Sequence, residues 1–127
     1  MKRQTQYLFM LTGGVVALLI EHLIAGLWFS PNGTGEYLKS PNGKFTASAM
    51  NMDKGTWRGT REKYIEVYVV ENSTGRKMWE VNFRHSIKAD VPDFGIRGKR
   101  FIVWNSDSSS VSIPISRMQK LDLPVSR

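Results

Sequence analysis

The chain has no cysteine, and that absence excludes a disulfide framework, a thiolate metal site and a cysteine nucleophile. Histidine is nearly absent too: only His22 and His85 occur, so a histidine-based metal centre would need carboxylates to complete it. No Gly-x-Ser-x-Gly elbow is present among the many serines. Asp90-x-x-Asp93 lacks the regular oxygen-ligand spacing of a calcium loop. Neither catalysis nor a cofactor is expected. The one enzymatic alternative is a shallow hydrolase-type site around His85, Asp90 and Asp93.

What the chain does have is a long apolar run at one end. Residues 7–29 (YLFMLTGGVVALLIEHLIAGLWF) contain only Glu21 and His22 as strongly polar groups. A helix of that length covers about 34 Å, enough for a hydrocarbon core of about 30 Å. Tyr7 and Trp28 stand where interfacial aromatics belong, and no polar face recurs before Glu21. Lys2 and Arg3 precede the run, whereas the nearest cations after it are Lys39 and Lys44. The positive-inside bias therefore predicts a cytoplasmic N-terminus (1–6), a transmembrane helix (7–29) and a β domain on the periplasmic or extracellular side. A secreted or periplasmic binder released by cleavage near Ala25 is the alternative; apolar character continuing through Leu27, Trp28 and Phe29 favours retention.

Glu21 and His22 are costly at membrane depth, roughly 2.5–3.5 kcal/mol for a charged group on insertion scales. Neighbours about 100° apart on a helix do not pair with each other. Glu21 therefore reads either as a lone polar group in the outer third or as a contact to a second membrane helix, with Gly13-x-x-x-Ala17 allowing close approach.

Residues 30–116 read as a small antiparallel β domain and 117–127 as a frayed tail, with Met118 and Leu121 as its candidate docking residues. Ser30-Pro31-Asn32-Gly33 and Ser40-Pro41-Asn42-Gly43 each predict a tight turn. Residues 63–70 and 77–85 predict a hairpin with Glu71 opposite Lys77. Val69 then faces Trp79, Val67 faces Val81 and Ile65 faces Phe83. Tyr68–Glu80, Glu66–Asn82 and Tyr64–Arg84 fill the other side, and a one-residue slip would scatter the apolar set. Lys77 and Arg84 are the expected charge partners of Glu66 and Glu80. Residues 101–104 and 111–115 predict two further strands, with Pro114 at an edge or an end.

The turn chemistry resembles a blade of WD-repeat or TolB-like β-propellers. Ser40-Pro41-Asn42-Gly43-Lys44 is similar to the turn that opens such a repeat. Residues 64–79 (YIEVYVVENSTGRKMW) resemble its hairpin, and Trp104-Asn105-Ser106-Asp107 resembles the entry to the next blade. A closed propeller takes about four or more blades of about forty residues, so one free-standing blade-like sheet is expected. The resemblance implies binding rather than chemistry and carries no site residues.

Net charge is +7, from 18 Lys and Arg against 11 Asp and Glu. Such a basic protein favours anionic surfaces. The candidate binding surface is the loop 53–63, where Lys54, Arg58, Arg61 and Lys63 surround Trp57 and two glycines add flexibility. Arg97, Lys99 and Arg100 form a second basic run. The expected partners are the lipid bilayer, a membrane protein and an anionic surface, with no specific nucleic acid; a Trp57 folded back over the sheet is the competing expectation.

Overall fold

The computed structural model describes residues 2–84 and 92–125. It shows one apolar helix followed by antiparallel sheets, the mainly β architecture expected. Helix α1 spans Lys2–Phe29. Ser30 N–H closes its last turn on the Gly26 carbonyl at 2.9 Å, and Pro31, which has no N–H to give, ends it. A four-stranded meander follows: β1 (Asn32–Lys39), β2 (Phe45–Gly55), β3 (Arg61–Glu71) and β4 (Lys77–Arg84). A second, three-stranded meander contains β5 (Val103–Trp104), β6 (Ser110–Pro114) and β7 (Lys120–Pro124). The chain divides into two compact units. One comprises the helix, on to Pro31, with Lys54–Arg61; the other comprises Asn32–Asp53 and the residues from Glu62 onward.

In the second unit the two sheets enclose one core. Ala47, Ala49, Ile65, Val67 and Val69 come from the larger sheet, and Val111, Ile113, Leu123 and Val125 from the smaller sheet and its end. Phe94 and Ile102, from the segment between the sheets, complete it. Alternation in β3 places Ile65, Val67 and Val69 inward, each fully buried, while Tyr64, Glu66 and Tyr68 face outward. The β3–β4 register is the predicted one from Tyr64–Arg84 through Val69–Trp79. It departs at the turn, where Val70, not Glu71, pairs with Lys77. Met78 is thus an extra residue in β4, and its side chain packs against the core. A bulge re-aims the strand by one residue, here letting a flexible methionine reach inward beside the turn. Glu71 N–H donates to Arg76 O at 2.9 Å, and Gly75, at φ +69°, takes the left-handed position. Of the expected cross-strand charge partners, Lys77 instead pairs with Glu80 within β4 at 2.7 Å, and Arg84 pairs across to Glu62 at 2.7 Å rather than to Glu66.

The two Ser-Pro-Asn-Gly segments behave differently. The second is a turn: Gly43 N–H donates to Ser40 O, and the Asn42 carboxamide oxygen accepts from Ser40 Oγ and Lys44 N–H. In the first, Asn32 and Gly33 begin β1 and pair with Asp53 and Met52. A neighbouring strand of the right length satisfies that backbone and overrides the local turn preference.

Side-chain hydrogen bonds tie the two sheets together. The Glu36 carboxylate accepts the Phe101 N–H at 2.8 Å and the Ile102 N–H at 3.4 Å. Trp104 Nε1 donates to Leu38 O at 3.0 Å, and Trp79 Nε1 to Pro124 O at 2.7 Å. Of the residues expected to form a frayed tail, Lys120–Pro124 instead form β7 and pair with β6 along the whole strand. Leu121 packs against the core, but Met118 is 94% exposed at the β6–β7 turn. That turn is built from Ser116, whose hydroxyl accepts the Gln119 N–H at 3.0 Å, with no glycine or proline to signal it. Pro114 ends β6 and pairs with Lys120. Asp107 sits in the β5–β6 turn, where Ser109 Oγ and N–H both donate to its carboxylate, which holds its pKa below the ordinary value.

Glu36→Ala strands two inward-facing N–H groups and should cost about 1–3 kcal/mol. Ile65→Ala should cost about 2–5 kcal/mol. Urea titration of the full chain in micelles reads both as lowered midpoints at unchanged slope; an unshifted Glu36→Ala midpoint would refute the tie. Because the Asp107 pKa is lowered on folding, its contribution is complete above the ordinary carboxylate value and is lost as pH falls through the lowered one. Asp107→Ala should therefore flatten the acid limb of a melting-temperature profile and leave the neutral region parallel to wild type.

Candidate membrane-interface site

The site is the closed end of the β2–β3 hairpin together with the C-terminal turn of α1. The hairpin ends in a β-turn over 56–59, closed by Gly59 N–H donating to Thr56 O at 3.1 Å. Thr56 N–H then pairs with Thr60 O at 2.8 Å, and the two threonine hydroxyls lie 2.8 Å apart. Gly59, at φ +73°, supplies the left-handed residue that follows such a turn. Trp57 and Arg58 occupy the two central positions, which project away from both strands. Trp57 is 91% exposed as a result.

The tip meets the helix end through three contacts. Trp28 Nε1 donates to the Thr56 carbonyl at 3.2 Å. The Phe29 and Trp57 rings lie 4.5 Å apart between centroids, tilted by 37°. The Arg61 guanidinium carbon stands 5.3 Å from the centroid of the Trp28 ring, within cation–π range. Gly55 makes this approach possible: a Cβ there would collide with the Trp28 indole and its backbone carbonyl. Aromatic edge, indole N–H and cation are thus fixed around one point.

The sequence-predicted residues separate into two groups. Lys54, Trp57, Arg58 and Arg61 belong to the same compact unit as the helix. Lys63 lies on β3, exposed, in the other unit. Arg97, Lys99 and Arg100, also exposed there, belong to the segment crossing β1, where Gly95 passes over Gly35. Lys99 and Arg100 line a cleft of about 310 Å³ with Glu36 and Tyr37. The loop expected over 53–63 is shorter than predicted, because β2 extends to Gly55 and β3 begins at Arg61. Gly55 is accordingly a buried packing position rather than a flexible one. Trp57 lies against Phe29, rather than folded back over the sheet.

Glu21 and His22 are exposed on α1. Glu21 shares a shallow apolar face with Ala17, Ile20, Ile24, Ala25 and Trp28. Of the proposed enzyme site, His85 and Asp90 lie outside the described residues, and Asp93 is exposed beside buried Phe94. Among the described residues no three His, Cys, Asp or Glu side chains come together as metal ligands. Sequence reading missed Trp28, Phe29 and Gly55 as members of the site. Its available signal was the pairing of an aromatic doublet ending the apolar run with an indole in a basic loop.

Gly55→Val forces the Trp28 indole off the hairpin and should destabilise the full chain in micelles by about 1–3 kcal/mol, the usual range for overpacking. The Trp28 indole proton should lose its hydrogen-bonded shift in the NMR spectrum; an unchanged resonance would refute the packing.

No family model, curated protein or solved structure matches the chain.

Proposed function

We propose that the protein is a non-enzymatic, single-pass membrane protein whose β domain serves as a binding or accessory module on the outer side of the membrane. The observation carrying this reading is the helix itself. Phe9–Phe29 has a mean hydropathy of 1.8 and none of its most apolar stretch is buried, so Leu19, Leu23 and Leu27 are left 59%, 67% and 78% exposed. Apolar surface of that extent is stable in a bilayer and costly in water. Retention of the helix is favoured over cleavage near Ala25, because a signal-peptidase site wants small residues at both key positions and Leu23 is bulky. Lys2 and Arg3 favour a cytoplasmic N-terminus.

A binding role is supported by the blade-like turn pattern together with the four-stranded meander, which is the shape of one blade. Glu21, on an otherwise apolar helix face, suits a polar contact with a partner membrane protein.

The chain's lack of cysteine makes topology directly testable. In sealed cells, Met118→Cys should react with a membrane-impermeant maleimide and Gln4→Cys should react only after lysis. Intact-mass analysis should recover the chain with its N-terminal residues. The opposite labelling pattern would overturn the orientation, and a mature chain beginning near Gly26 would establish the secreted alternative.

A further inference from the structure

We propose that the β2–β3 tip is a second membrane contact, in which Trp57 enters the interface and Arg58 engages the phosphate of an anionic phospholipid headgroup. The inference rests on the anchored reading above and adds the ligand of the candidate site. Its first support is depth. At about 1.5 Å per residue, Phe9–Phe29 covers about 31 Å, the thickness of a hydrocarbon core, so Trp28 and Phe29 fall at the interface. Thr56 is hydrogen-bonded to Trp28 and the Trp57 ring lies against Phe29, so the tip lies at the same level.

The chemistry at that level suits lipid. An indole exposed at 91% is unfavourable in water and favourable in the headgroup zone, where one edge is apolar and the other wet. Phe29 extends the same apolar edge. The segment Lys54–Arg61 carries Lys54, Arg58 and Arg61 and no acidic residue. Arg58, at the apex beside Trp57, presents a planar fork of donors matched to phosphate oxygens. Arg61 is held over the Trp28 ring, placing a further positive charge behind the first. The Trp28 N–H is already satisfied by Thr56, leaving Trp28 as a wall of the site and Trp57 as the inserting ring.

The test uses the full chain in nanodiscs of phosphatidylcholine, alone or mixed with phosphatidylglycerol, with and without bromine on the upper acyl chain. Subtracting the emission of Trp57→Phe isolates Trp57 from the other tryptophans. Trp57 should be quenched by brominated lipid, and more strongly as phosphatidylglycerol is added. One cation near the surface is worth about fivefold in partition. Arg58→Gln should therefore raise the phosphatidylglycerol content giving half-maximal quenching by about fivefold. Resistance to alkaline carbonate is measured in parallel. An unquenched Trp57 in a carbonate-resistant chain would overturn the inference and leave the anchor standing, whereas extraction by carbonate would overturn the anchor. Quenching indifferent to phosphatidylglycerol would refute the headgroup ligand.

Discussion

Where the helix stops, an indole is laid against the hairpin tip, and the packing of that whole unit depends on it. Trp28 brings a large apolar ring with a single polar edge, and both are accommodated. The ring lies on the space that Gly55 leaves open, and the N–H reaches the Thr56 carbonyl. The Thr56 carbonyl, which already accepts the turn-closing Gly59 N–H, thus takes a second donor from the end of the apolar helix. Phe29 and Arg61 then follow from the same placement, one stacked on Trp57 and the other over Trp28. The result is a compact aromatic group with cations around it, made of residues that separately would be unremarkable.

The β unit is organised on a different principle. Its apolar side chains are small, chiefly valine, isoleucine and alanine, so the core is thin. Polar groups with fixed directions supply the specificity that bulk does not. The Glu36 carboxylate receives the N–H groups entering β5, and the Trp79 and Trp104 indoles each donate across to backbone carbonyls. Asn72 links the β3–β4 turn to the start of β2 in the same way, accepting from Thr46 and donating to Gly43 O. A buried polar group left unpaired is costly, so the part-buried ties made by Glu36 and Trp104 also select against alternative packings.

Most of the mainly β fold was legible because it rests on alternation. The β3–β4 register follows from Ile65, Val67 and Val69, since any slip would expose them. What escaped depends on information from elsewhere in the chain. The bulge at Met78 is decided by core space beneath the turn, and the strand at Lys120–Pro124 by a partner strand and a serine turn without glycine or proline. Asn32-Gly33 is drawn into β1 by pairing with β2, although the same residues at 42–43 turn. Of the site, the basic and aromatic character of Lys54, Trp57, Arg58 and Arg61 was visible. Their junction with Trp28 and Phe29 was not, because no local pattern announces a contact between residues this far apart in sequence. Gly55 looked like flexibility for the same reason.

The proposed membrane role rests on the apolar helix and on the indole-bearing tip at its end. Central to this reading is the closure of the helix end by the hairpin. Hydrogen–deuterium exchange of the Trp28 indole proton, followed by NMR on the full chain in nanodiscs, tests it most directly. Slow exchange, with a nuclear Overhauser contact from that proton to Thr56, is the result the structure predicts. Rapid exchange without that contact would show that the tip and the helix end are not joined.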